Sequence, residues 1–552
     1  MLTNTKAQKS TMQYFTGSRL FLAVIILFII FVRVRLLDIP LERDEGEYAY
    51  MGQLILQGIP PYSEAYNMKF PGTYLMYAGI MAVFGQTIQG IHIGLLLVNC
   101  AAILLVYLLA RKVMDDFPAA IAGGTYALLS LSSSVLGFAA HATHFVILPA
   151  LGGVLLLLYA IERERLHLYF LSGTLLGISF ITKQPGIFFV LFGATWILWQ
   201  HLSSRWSGSR DNNQSAYPVG TLVLKLGTFS LGAALPLMIT LVWLYFVGVF
   251  DRFWFWTVVY ASKYAAQVPF SKAFSIFGKE LTVVVDGFFL FWMFAALGLI
   301  AIFFDKGLKT NRAFVILFAL SSFLSICPGF YFRRHYFVTL LPATSLLSGM
   351  FTDFLMSGRF SLFRSQLSKY AIGGIFIAAA AVGVIRQKDY LFTEDPVRLS
   401  GLIYAGNPFS ESIRIAKFVE ARTTSDDRIA VFGSEPQIFF YAKRQSATGY
   451  IYVYNLMEIH EYALPMQKEM TAEVESAKPK FLIDVRSSAS WLVREGSEAY
   501  IFEWLKNYIA NNYNLIGIAD IMPPDQTVYK WYDEVKDYRI HSPAYVLIFQ
   551  RR

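Results

Sequence analysis

Between a hydrophobic stretch that ends near Leu37 and a long series of further hydrophobic stretches lies Leu41–Gly72, LERDEGEYAYMGQLILQGIPPYSEAYNMKFPG. Asp44, Glu45 and Glu47 fall within four residues, beside Tyr48 and Tyr50, and Lys69 follows just before Pro71. A carboxylate held in lipid is costly, so such a cluster at a membrane edge is either a solvated loop or a working site. Three roles are open to Asp44. It can be the N-cap of an interfacial helix running Glu45 to Gln57. As a partly shielded carboxylate it can take the proton from an attacking hydroxyl. With Glu45 or Glu47 it can hold a divalent metal ion. A second pair, His141-x-x-His144, has the i, i+3 spacing of a metal-binding pair, but no Glu or Cys accompanies it. Lining an acceptor route, or simple placement at an interface, is open to these histidines too.

The elements that must position these residues are set by composition. Of 552 residues 55% are hydrophobic and 15% charged, and the mean hydropathy is +0.47, too apolar for a soluble chain of this length. The formal charge of +9 suits the basic inner loops of a membrane protein. No basic run of nucleic-acid type accompanies it, so no nucleic-acid partner is expected. Cys100 and Cys327 both lie in apolar runs and are poor disulfide candidates. Lys6, Lys9 and Arg19 precede an apolar run from Leu20 to Val32 with no small-residue cleavage site after it, the pattern of a retained signal anchor with a cytoplasmic N-terminus.

A membrane span needs about 17–25 mostly apolar residues. Eleven stretches meet that: 18–37, 90–111, 118–137, 143–161, 166–182, 186–201, 221–249, 284–304, 312–328, 335–356 and 370–386. The apolar run Thr73–Phe84 is too short to span and is read as interfacial or re-entrant. With the N-terminus inside, the inner ends carry Arg111-Lys112, Glu162 to Arg165, Arg205 and Arg210, Lys306, Lys309 and Arg312, and Arg359, Arg364 and Lys369, as the positive-inside rule expects. The outer side then holds few cations: Arg43, Lys69, Lys183, Arg252, Lys263, Lys272, Lys279, Arg333 and Arg334. Cations that break the topological bias are candidates for an anionic headgroup or for anchoring to membrane lipids.

After Arg386 hydrophobicity falls, and 387–552 reads as a soluble domain, so the domains expected are 1–386 in the membrane and 387–552 on the outer side. Ser412–Ala421 has helical spacing, with Ser410 as its N-cap. Arg428–Gly433 and Lys480–Val485 read as short buried strands, Glu498–Asn511 as a helix and Ala544–Gln550 as a last strand, an α/β pattern. The turn Gly433-Ser434-Glu435-Pro436 follows a strand as a nucleotide loop does, but without a G-x-G-x-x-G or P-loop pattern it reads as a plain turn. The expected fold is therefore a mainly α polytopic membrane protein of about eleven transmembrane helices, with interfacial helices in the first outer loop and a C-terminal soluble α/β domain.

Asp44-Glu45-x-x-Tyr48 soon after a first span, followed by Pro60-Pro61-Tyr62, Lys69-Phe70-Pro71-Gly72 and an amphipathic segment ending Phe84-Gly85, resembles the GT-C superfamily of membrane glycosyltransferases. Within it the likeness is to the group of protein O-mannosyltransferases and the bacterial aminoarabinose transferase of lipid A. The resemblance implies a polyprenyl-phosphate-linked sugar as donor, inversion at the anomeric carbon, Asp44 as the base and Lys69 on the lipid phosphate. Phe70-Pro71-Gly72 departs from the family's K-P-P turn. Thr182-Lys183-Gln184-Pro185 is similar to the T-K-G loop, and Arg334-His335-Tyr336 with Leu341-Pro342 to the R-Y-x-x-P segment, which would bring Lys183, Arg334 and Tyr336 near the phosphate. Lys263 and Arg252 stand in the loop that supplies further cations in relatives.

The chemistry agrees with this reading: displacing a lipid phosphate needs a base for the incoming hydroxyl and cations for the departing phosphate. Glu45 accompanies Asp44 as a catalytic candidate, while Glu47, Tyr48, His141 and His144 are candidates for the acceptor or a metal ion. No cofactor other than a divalent metal ion is suggested. The chain is expected in the cytoplasmic membrane, glycosylating an extracytoplasmic glycan, lipid or protein. A lipid-linked sugar flippase is the alternative. It calls for ionisable groups in mid-span and two related halves, and neither stands out in the sequence.

Overall fold

The computed structural model describes residues 2–208, 218–304, 309–356, 366–522 and 526–552. Of the inner basic residues expected above, Arg210, Lys306, Arg359 and Arg364 lie outside these. The chain is mainly helical with one small sheet, in two compact units. One consists of Met1–Arg35, His92–Val242 and Tyr264–Thr393, the other of Leu36–Ile91, Trp243–Lys263 and Glu394–Arg552. The segment 36–91 thus packs with the C-terminal segment, a grouping that the linear division at 386/387 does not follow.

In the first unit the long helix α1 (Leu2–Arg35) opens the chain. Five helices among the described residues are long and apolar enough to cross a membrane: Gly17–Arg35, Ile88–Ala110, Ala142–Arg163, Gln184–Ser203 and Val219–Phe246. Each coincides with an expected span. Leu166–Thr182, Arg312–Leu324 and Tyr370–Arg386 are shorter apolar helices.

Three expected spans are reshaped. The stretch 335–356 opens as the 3-10 helix Arg334–Thr339, and its α-helix runs only Leu341–Met356. The stretch 118–137 is helical only to Leu131, because Ser132 caps a 3-10 turn through Ser134 and the side chain of Gln387 takes hydrogen bonds from Ser132, Ser133 and the Ser133 amide. Hydroxyls that bond locally compete with the helix ladder. The stretch 284–304 is the second arm of a bent pair, Phe270–Asp286 and Phe289–Phe304, which meet at 115°. At the bend Gly287 comes so close to its neighbours that a Cβ would lie 2.6 Å from the hydroxyls of Ser132 and Ser134.

In the second unit, α2 (Arg43–Leu56) and α3 (Pro71–Phe84) lie against each other, with Tyr48 edge-on to Tyr77 at 5.3 Å. Proline at the first position of α3 suits a helix start, since its missing N–H has no intrahelical partner there. The sheet has five strands, β1 (Ile429–Phe432), β2 (Phe481–Arg486), β3 (Tyr513–Met522), β4 (Gln526–Trp531) and β5 (Tyr545–Arg551), in the order β1-β2-β5-β3-β4. β1 and β2 are parallel, Ile429 beside Phe481 and Phe432 beside Asp484, and the other pairs are antiparallel. β1, β2 and β5 answer the expected strands. The helix expected over 412–421 runs Phe409–Glu420, and Ser410 lies inside it, bonded to the Val397 carbonyl instead of capping.

The helix Gln437–Ala442 packs on α2 at Gly46. A Cβ there would lie 2.6 Å from Gln437 Cβ and 2.7 Å from its amide nitrogen. Gly46→Ala is therefore expected to lower stability by about 1–3 kcal/mol through overpacking, read as an earlier midpoint of thermal unfolding.

Candidate active site

The first turn of α2 is closed by a capping box. Glu42 is the N-cap, its carboxylate accepts from the Glu45 amide at 3.1 Å, and the Glu45 carboxylate accepts from the Glu42 amide at 3.2 Å. The capping role left open for Asp44 therefore falls to Glu42, and Glu45, fully buried, serves the cap. Burial, with the neighbouring Asp44 and Glu45 carboxylates, pushes the Glu42 carboxyl well above the ordinary value.

Lys69 reaches this turn because its loop is pinned. Pro60-Pro61 leads into Tyr62, a buried residue at φ 67° whose hydroxyl donates to the Lys69 carbonyl at 2.6 Å. A tyrosine in the left-handed region is strained, and persists where its surroundings over-determine it. The Lys69 ammonium then lies 3.1 Å from Asp44 Oδ1, 2.8 Å from Glu47 Oε2 and 4.6 Å from the centre of the Tyr48 ring. Tyr74 donates to the other Glu47 oxygen at 2.8 Å.

The two carboxylates differ in access. The Asp44 side chain is 18% exposed and that of Glu47 is 0%. Burial raises the Glu47 carboxyl above its usual value, with Lys69 opposing. Burial disfavours the Lys69 charge, but Asp44 and Glu47 outweigh it and hold the ammonium protonated above its ordinary value. Glu47 is the buried partner of Lys69, and Asp44 is the more exposed of its two carboxylates.

In the C-terminal segment, Tyr452 carries no role in the sequence reading. Loss of solvent and the Asp44 carboxylate hold its hydroxyl far above the ordinary value, and its ring meets Tyr454 edge-on at 4.8 Å. Nothing in its sequence surroundings, YIYVYN, marks it out. Lys263, also in this unit, is paired with Glu461 at 2.8 Å.

The remaining candidates are in the first unit. The 3-10 helix Arg334–Thr339 carries His335 and Tyr336. His335 stacks on His141 at 4.1 Å between ring centres, and the Lys183 ammonium lies 4.3 Å from the centre of the Tyr336 ring. His144 is buried in the first turn of Ala142–Arg163. Arg334 is half-buried and forms no ion pair among the described residues. His335, quoted within the Arg-His-Tyr motif but given no role, joins His141 here.

Against known proteins, the chain matches the family described as dolichyl-phosphate-mannose-protein mannosyltransferase over residues 69–226. Over 175 residues it is 31% identical to the undecaprenyl phosphate-alpha-4-amino-4-deoxy-L-arabinose arabinosyl transferase of Pseudomonas aeruginosa (strain UCBPP-PA14), covering 30% of this chain and 31% of that one. The chain thus spans about a third of the length of the curated relatives it matches. Its fold is similar to that of ArnT from Cupriavidus metallidurans bound to undecaprenyl phosphate, with TM-score 0.57 and 15% identity across 96% of this chain and 97% of the other. It is also similar to the oligosaccharyltransferase AglB from Archaeoglobus fulgidus in complex with an inhibitory peptide and a dolichol-phosphate, with TM-score 0.50 and 14% identity across 96% and 75%. The likeness to GT-C glycosyltransferases is thus supported by the family match from Lys69 onward, by about a third of the curated relative's length and, for the fold alone, by the solved structures.

Proposed function

We propose that this chain is an inverting glycosyltransferase that moves a sugar from a polyprenyl-phosphate donor to a hydroxyl of an extracytoplasmic glycan, lipid or protein. The observation that carries the reading is the reachable Asp44 carboxylate, free of the capping role and held against Lys69. The acceptor oxygen attacks the anomeric carbon as its proton passes to Asp44. The bond from that carbon to the phosphate oxygen breaks, and the electron pair leaves with the lipid phosphate.

The cations divide by how they are engaged. Lys69 faces Asp44 and Glu47, Lys263 faces Glu461, and Lys183 lies over the Tyr336 ring. As the resemblance implies, Lys69 is assigned to the donor phosphate, and Lys183, Lys263, Arg334 and Tyr336 are its further candidates; within its own unit Lys69 also holds Asp44 in place. The eleven-span topology, the cytoplasmic membrane and an outer placement for 387–552 belong to the same proposal. Cysteines placed at the exposed positions Gln57 and Glu495 should react with an impermeant thiol reagent added from outside. Labelling from the cytoplasmic side alone would reverse the orientation.

Mass spectrometry of envelope glycans, with and without the protein, should show one glycosyl residue disappear and so identify the acceptor. The deciding measurement is transfer by the detergent-solubilised chain given lipid extract and that acceptor. A flippase has no membrane to work across there, so product formation supports transfer and its absence with folded protein overturns it.

A further inference from the structure

Arg43, the residue before Asp44, runs into the C-terminal part of its unit and is bound there on every side. Its Nε donates to the Ser434 carbonyl at 2.6 Å, and its Nη2 to Asn407 Oδ1 at 2.8 Å and Glu435 Oε1 at 3.0 Å. The guanidinium lies over the rings of Tyr454 and Phe409, 5.0 and 5.3 Å from their centres. Glu435 is fully buried, and its second oxygen accepts from Ser490 Oγ at 2.6 Å, which itself accepts from the Ser434 amide at 2.9 Å.

The place of this cradle in the fold matters. Ser434 and Glu435 follow β1, and Ser487 to Ser490 follow β2, the one parallel pair in the sheet. Open α/β sheets receive ligands in the crevice beyond the carboxyl ends of such strands. Here a side chain of the same protein fills it. The turn Gly433–Pro436, which follows a strand like a nucleotide loop but lacks the glycine pattern, presents a carbonyl and a carboxylate, groups that suit a guanidinium and repel a phosphate.

We propose that this crevice is a socket for Arg43, and that Glu435 is a positioning residue which, through Arg43, sets Asp44 against Lys69. The proposal rests on the reading of Asp44 as the base. An arginine is required because a lysine offers no planar fork for Ser434, Asn407 and Glu435 together. Releasing it frees the first turn of α2, where Asp44 sits one residue on. Asp44 then moves away from the Lys69 ammonium that holds it at 3.1 Å.

The test compares the full-length chain with Glu435→Ala, Glu435→Gln and Arg43→Lys in two measurements. In hydrogen exchange, the amides of residues 43–50 should exchange faster in Glu435→Ala, while Glu435→Gln, which keeps the shape of the cradle, stays nearer the parent. In transfer, Glu435→Ala and Arg43→Lys should lower kcat by at least about tenfold, as misplaced catalytic groups do, with the KM for the lipid donor within about twofold. Glu435→Gln, which keeps the cradle, should hold kcat within a few-fold of the parent, a rescue with unchanged KM that lower stability alone would not produce. Parental exchange over 43–50 in Glu435→Ala overturns the proposal, and so does faster exchange with an unmoved rate. If the parent chain transfers no sugar, the transferase reading fails on its own, while the exchange comparison still upholds or overturns the socket.

Discussion

Asp44→Asn is expected to reduce glycosyl transfer by about 10²–10⁴-fold, the range a positioned general base contributes, with thermal unfolding and detergent behaviour as in the parent. The structure explains why the loss should fall on rate alone. The helix cap is made by Glu42 and Glu45, so the substitution leaves the first turn of α2 closed. The Asp44 side chain is partly exposed, and the amide oxygen of an asparagine there can still accept a hydrogen bond from the Lys69 ammonium. Glu45→Gln gives the contrast. It weakens one arm of the capping box, at a cost of about 1 kcal/mol in stability, and leaves transfer within a few-fold of the parent. Near-normal transfer by Asp44→Asn would remove the base from the proposed mechanism. A large loss of transfer in a fully stable Glu45→Gln would move that role to Glu45.

How far the sequence could see depended on whether a feature was local. Asp44 and Lys69 were legible because charge beside an apolar span is costly and so stands out. The cap was not, since glutamate is outside the residue types preferred at the N-cap and Glu42 was therefore passed over for Asp44. Arg43 was visible only as an outer cation, because its partner Glu435 lies 392 positions away and nothing local links them. β1 and β2 were legible as short apolar runs. β3 was missed because Gly517 and Asp520, both poor strand residues, interrupt it, and β4 because an edge strand such as QTVYKW buries too little to carry a pattern. The bend at Gly287 was hidden by apolar sequence on both sides. It arises from the close approach of Ser132, Ser134 and Gln387, which no window on the sequence contains.

The second large effect is on stability, and it changes what a lysine substitution can report. Lys69→Met leaves Glu47, with no solvent exposure, holding only the Tyr74 hydroxyl. Removing one partner of a buried ion pair costs about 3–5 kcal/mol, because the other charge stays buried and uncompensated, whereas a surface pair is worth a fraction of that. Weak use of the lipid donor by Lys69→Met would therefore mix a site effect with partial unfolding. The double variant Lys69→Met/Glu47→Gln separates them, since it removes both charges and keeps a group that can meet Tyr74. Most of the lost stability should return in the double variant, and what remains of the transfer defect then belongs to the site without its Lys69. The sign of the pH effect follows from Glu47. Its carboxyl is already raised in the folded state by burial and loses the opposing Lys69 in the single variant. The folded state then keeps a proton that the unfolded chain releases, so the stability of Lys69→Met falls as pH rises through that window and recovers on acidification. The gap in unfolding midpoint between Lys69→Met and the parent should accordingly narrow as the pH is lowered, and should be nearly pH-independent for the double variant. A single variant that unfolds with the parent at neutral pH would show that Glu47 carries no buried charge, and with it would go the division of labour between Glu47 as anchor and Asp44 as base.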